Sequence, residues 1–70
     1  MMTEEELFGR RLWGLMQYMD ISPKKLASDS GVSINTIYNW MKGKTMPDIR
    51  QLKMVKKVLG CSWEELLGYE

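Results

Sequence analysis

Histidine is absent from this chain, and cysteine occurs once, as Cys61. Together these exclude an internal disulfide, every zinc-finger pattern, and every Ser-His or Cys-His catalytic pair. No apolar run approaches the roughly 20 residues needed to span a bilayer, and no glycine-rich phosphate loop is present. The opening residues Met1-Met2-Thr3-Glu4-Glu5-Glu6 are acidic and lack the basic-then-apolar pattern of a secretory leader, so a cytoplasmic location is expected. At 70 residues the chain is expected to form one small domain over 1–70. A chain this short buries only about 60% of its unfolded surface and offers little room for a ligand pocket of roughly 300 Å³ or more. The carboxylates Glu4 to Glu6, Glu64 and Glu65 cluster at helix starts, where capping and the helix dipole account for them. The expectation is a non-enzyme with no metal, no cofactor, no small-molecule ligand and no membrane partner.

What is present is an uneven charge distribution. The net charge of +1 conceals a basic middle: residues 24–57 carry +6, residues 1–23 carry −2 and residues 58–70 carry −3. A polyanion is a natural partner for such a middle. The alternative is that these lysines solubilise helix surfaces.

Periodicity and capping signals describe an all-α chain of five helices, with no β-type alternation and no repeat. Thr3 with Glu6 forms a capping box opening the first helix, in which Phe8, Leu12, Leu15, Met16 and Met19 recur at helical spacing and which ends at Asp20. Gly9 and Gly14 each weaken that helix by up to about 1 kcal/mol relative to alanine. Ser22 caps the second helix and Pro23 occupies its first position; Leu26 and Ala27 face inward, and Gly31 supplies a tight turn. Ser33 caps the third helix. At about 100° per residue, Ile37, Trp40 and Met41 fall on one face and Asn35, Tyr38, Asn39 and Lys42 on the other. Gly43 ends it, and Lys44-Thr45-Met46-Pro47 forms a loop. The C-terminal helices are expected at 48–59 and 62–68. Asp48 caps the first of these, which turns Ile49, Leu52, Val55 and Leu59 inward, and Ser62 with Glu65 makes a second capping box.

Residues 22–43 therefore show two short helices joined by a glycine turn, the second apolar behind and amide-rich in front. That is the layout in which a second helix enters the major groove of DNA. On Ser22, Leu26-Ala27, Gly31-Val32-Ser33, Thr36-Ile37, Gly43-Lys44, Pro47, Leu52, Leu59-Gly60 and Leu66-Leu67, the chain resembles the Cro/repressor-type (XRE family) helix-turn-helix proteins from about Leu7 to Leu67. The resemblance implies a compact five-helix bundle of the lambda-repressor-like DNA-binding type. It also implies a sequence-specific regulator, expected to be a repressor, bound as a homodimer to a two-fold operator with half-sites about 34–36 Å apart.

The residues themselves suggest the contacts. Asn35 and Asn39 can each offer adenine a bidentate donor–acceptor pair, and Ile34 can offer a thymine methyl apolar contact. Tyr38 reaches a base edge or phosphate, or else packs on Lys42. Ser22, Lys24, Ser33, Thr36, Lys42 and Lys44 are candidates for the DNA backbone, although each asparagine and lysine also suits a solvated helix face. Met54, Val58, Trp63, Leu67 and Tyr69 are more apolar than a solvated surface requires and mark a possible dimer surface; Trp63 and Leu67 equally suit a small core. Trp40 and the methionines read as core.

Five positions depart from the family pattern. Pro23 stands where the family often has a glutamine that hydrogen-bonds DNA phosphate or a recognition-helix side chain. Met16 and Met41 replace a partly buried arginine–glutamate pair, a joint change that apolar packing tolerates, and they are expected to touch. Lys56 replaces a small residue, so that its stem should snorkel, and Cys61 replaces a buried aliphatic. The competing reading is a protein-interaction module or antitoxin that retains the fold.

Overall fold

The computed structural model describes residues 1–68 and folds them into α1 (Glu4–Met19), α2 (Pro23–Ser30), α3 (Ile34–Met41), α4 (Ile49–Leu59) and α5 (Trp63–Leu67). The described residues contain no strand.

Each helix starts where a side chain replaces the missing intrahelical partner of a first-turn amide. Thr3 Oγ1 accepts from the Glu6 amide at 3.1 Å, and Glu6 Oε1 accepts from the Thr3 amide at 2.9 Å. Ser62 and Glu65 repeat this box. So do Asp48 and Gln51, a third box beyond the two expected. Ser22 and Ser33 accept from the amides of Lys25 and Thr36, each at 3.1 Å. α1 ends at Asp20, which adopts the left-handed region with φ 55°, and the Ile21 amide folds back to donate to the Met16 carbonyl at 2.8 Å.

The core is built from Phe8, Leu12 and Met16 of α1, Leu26 and Ala27 of α2, Ile37 and Trp40 of α3, and Leu52, Val55 and Leu59 of α4, with Cys61 and Leu66 closing it. α1 lies against α3 and α5, and α2 bridges α3 and α4. The Trp40 ring meets Phe8 edge-on, with centroids 6.4 Å apart and planes at 79°. Such a pair contributes about 0.5–1.5 kcal/mol beyond its burial.

Several residues expected inside turn out otherwise: of the methionines only Met16 is fully buried, and Met1, Met46 and Met54 are exposed. Ile49 is 65% exposed. As the first residue of α4 it projects toward the helix N-terminus, past the edge of the core that Leu52, Val55 and Leu59 cover. Met19, in the last turn of α1, is also exposed. Met16 is fully buried and Met41 packs at the margin of the same cluster, so α1 and α3 stay together without the ion pair. The Lys56 stem is half-buried, and its Nζ lies 5.3 Å from the centre of the Trp63 ring, a cation–π contact that gives the snorkelling lysine a partner. Gly9 does more than weaken its helix: a Cβ there would stand 2.5 Å from the Trp40 carbonyl oxygen and 2.8 Å from that of Met41. The absent side chain lets α1 lie directly on the C-terminal end of α3.

Candidate nucleic-acid interface

The geometry of α2, the turn and α3 follows from a few local choices. Ala27, nearly buried, allows α3 to approach α2. Gly31 takes φ 75°, a conformation a Cβ would penalise. The Val32 amide donates back to the Ala27 carbonyl at 3.2 Å, and the Val32 side chain packs on the core beneath the turn. Ser33 then starts α3 in a new direction.

α3 is anchored by Ile37 and Trp40, 0% and 1% exposed. That orientation leaves Ile34, Asn35, Tyr38 and Lys42 exposed along one side. Asn39 lies at the edge of this arc and is half-buried. At the end of the helix the Gly43 amide donates to the Trp40 carbonyl at 3.1 Å and the Lys44 amide to the Asn39 carbonyl at 2.9 Å. The chain thus wraps back beside Asn39 and leaves the exposed Lys44 just beyond it.

The candidate backbone residues separate into two groups. Lys24, Lys42 and Lys44 are exposed. Among the described residues the structure has one ion pair, Lys25 to Asp29 at 3.0 Å, so these three ammonium groups are not engaged by carboxylates. Ser22 is exposed, accepts one amide through its hydroxyl oxygen and retains its own proton for donation. Ser33 and Thr36 share a hydroxyl–hydroxyl hydrogen bond of 2.8 Å, and Thr36 is half-buried, so this pair is already part of the α3 cap.

Of the candidate dimer residues, Met54 is exposed, while Val58, Trp63 and Leu67 are half-buried and pack on the core. Tyr69 lies outside the described residues. Cys61 is buried beneath α5, and burial pushes its thiol pKa up, with the Glu65 carboxylate adding to the rise.

An open groove of about 470 Å³ runs beside this unit, lined by Trp13, Met16, Gln17, Asp20, Ile21, Ser22, Pro23 and Lys25. It is larger than the chain length led us to expect. Trp13, 47% exposed on α1, is part of its lining. Nothing in the spacing of apolar residues signalled it. No described helix is long and apolar enough to cross a membrane. The described residues contain no cluster of three or more metal-ligating side chains.

The family model for the Cro/C1-type HTH DNA-binding domain matches residues 11–70. The chain belongs to that family. Searches of curated proteins and of solved structures gave no match. The Cro/C1-type assignment agrees with the all-helical architecture and makes the protein a DNA-binding regulator. The Cro/C1-type match begins within α1 and takes in α2, α3 and α4, so the helix-turn-helix and the elements that brace it all lie inside the matched region.

Proposed function

We propose that this Cro/C1-type protein is a sequence-specific transcriptional repressor whose helix 33–42 reads the major groove of double-stranded DNA. On this reading the chain is one helix-turn-helix domain over 1–70, acting in the cytoplasm as a homodimer on a two-fold operator. Met54, Val58, Trp63, Leu67 and Tyr69 form the pairing surface. The observation that carries the proposal is the outward arc of α3: Asn35, Ile34 and Tyr38 stand exposed, with Asn39 half-buried at the edge, on a helix anchored by Ile37 and Trp40. Ile34, Asn35, Tyr38 and Asn39 read base edges. Ser22, Lys24, Lys42 and Lys44 hold phosphates, and Ser33 and Thr36 present the amide end of α3 to the backbone.

The test is a titration of random-sequence and selected duplexes across salt. Phosphate-dominated binding makes log K fall by about 0.9 per contacted phosphate per unit of log salt. The three lysines engaged per protomer predict a slope near −3 for a half-site. A protein that binds no duplex at about 50 mM salt is not a DNA-binding repressor.

A second reading, a protein-interaction module or antitoxin on the same fold, is favoured by the exposed Trp13 and Tyr18 of α1, 47% and 86% accessible. Retained DNA binding that a protein partner abolishes would distinguish the mixed case.

A further inference from the structure

We infer that the half-site core read by α3 consists of A·T pairs, with Ile34 selecting thymine and Asn35 and Asn39 selecting adenine. The inference rests on the major-groove reading above and adds to it the class of sequence recognised.

The argument begins with what the outward arc lacks. Between Ser33 and Met41 there is no arginine, lysine, aspartate or glutamate. Guanine shows two acceptors, N7 and O6, in the major groove and is read best by a two-donor cation. Cytosine shows a donor, N4, and is read best by a carboxylate. α3 has neither kind of group. A carboxamide offers one donor and one acceptor, which complements adenine N7 and N6. Asn35 and Asn39 are one turn apart, so they can address neighbouring positions along the groove.

Ile34 sharpens the selection. It is the first residue of α3, 37% exposed, and recognition helices meet base edges with their N-terminal residues. Its side chain cannot hydrogen-bond. Set against cytosine N4 or guanine O6 it would strand a polar group, whereas set against the thymine methyl it buries apolar surface on both sides. Tyr38, with a hydroxyl that both donates and accepts, imposes no preference. The nearest cation, Lys42, sits at the C-cap, the end of α3 farthest from Ile34, and serves the phosphates.

The experiment uses the full chain and has two parts. First, fragments are selected from a random duplex library. Each half-site is expected to show an A·T core. Second, the selected duplex is remade with deoxyuridine for single thymidines, removing the methyl, or with 7-deazaadenine, removing N7. One uridine position should weaken wild-type binding about fourfold, the effect of one buried methyl. Each 7-deazaadenine at an asparagine-contacted position should weaken it about fivefold or more. The Ile34→Ala protein should bind thymidine and deoxyuridine duplexes equally. Because Ile34 is exposed, the variant should fold, and circular dichroism checks this; the modified-base measurements need no variant at all.

Selection of a G·C core, or binding without sequence preference, overturns the inference and leaves DNA binding standing. An Ile34→Ala protein that still discriminates the methyl overturns the role of Ile34. Failure to bind any duplex removes the proposed function itself, and this inference with it.

Discussion

Gly9 of α1 rests against the main-chain carbonyl of Trp40 so closely that a methyl group there would stand 2.5 Å from the oxygen. The same backbone carries Phe8, whose ring meets Trp40 edge-on. Two consecutive residues of α1 therefore hold the end of α3, one by its side chain and one by having none.

This relationship predicts opposite signs for two glycine substitutions in one helix. Gly9→Ala should destabilise the fold by about 1–3 kcal/mol, because the new methyl must push α1 off α3. Gly14→Ala, where an added Cβ meets nothing within 4 Å, should stabilise by up to about 1 kcal/mol through helix propensity. Urea denaturation of both variants measures the difference. Equal signs would mean that α1 and α3 are not in this contact.

The outward arc predicts a division between specificity and affinity. Asn35→Ala and Asn39→Ala should relax sequence preference, each reducing discrimination at one position by about 1–3 kcal/mol. Lys42→Ala and Lys44→Ala should weaken all sequences about equally and lower the salt slope by about one each. Binding assays on matched and mismatched duplexes separate the two patterns. Asparagine variants that behave like the lysine variants would remove the amides from base reading.

Glu6 predicts a contribution from pH. Its carboxylate accepts hydrogen bonds from Thr3, first from the backbone amide and then through the side chain, and these hold its pKa below the ordinary value of 4.5. A carboxyl with a lowered folded-state pKa stabilises the protein above its unfolded pKa, and that stability disappears as pH falls through the folded value. Denaturation midpoints of wild type should therefore drop between pH 5 and pH 3 more than those of Glu6→Gln, whose cap does not titrate. Parallel profiles would show that the Thr3–Glu6 box does not couple to folding.

Cys61 predicts low reactivity. Buried, and with its pKa raised by desolvation and by Glu65, it holds little thiolate at neutral pH, although the Cys61 backbone hydrogen bond and Lys56 oppose the rise. Alkylation at pH 7.5 should be slow in the folded protein and accelerate at least tenfold in denaturant. Equal rates would place Cys61 at the surface.

Sequence reading located all five helix starts because an N-cap is a local event: Thr3, Ser22, Ser33, Asp48 and Ser62 each bond an amide three residues away. It missed the reciprocal bond of Gln51, since an amide in that position is a weaker cue than a glutamate. The outward face of α3 was legible from rotation alone, because Ile37 and Trp40 fix the inward direction. The half-burial of Asn39 was not, because helical rotation alone does not say how far neighbouring segments cover the edge of a face. Ile49 was placed inside by periodicity, which takes no account of where the core stops. The contact of Gly9 with Trp40 lies between residues 31 apart in the chain, and no local pattern displays it.

The clamp on Trp40 also gives α3 the form of a lever. Its hold on α1 is near the C-terminal end, with the buried Ile37 a second anchor one turn earlier, and Ile34 sits six residues from Trp40, about 9 Å along the axis. A tilt of about 5° at the pivot sweeps the tip through roughly 0.8 Å, enough to take a base contact out of register, while Asn39 beside the pivot scarcely moves. On the proposed reading, small changes in how α1 seats on Trp40 would reach the groove unequally, displacing the Ile34 end more than Asn39 beside the anchor.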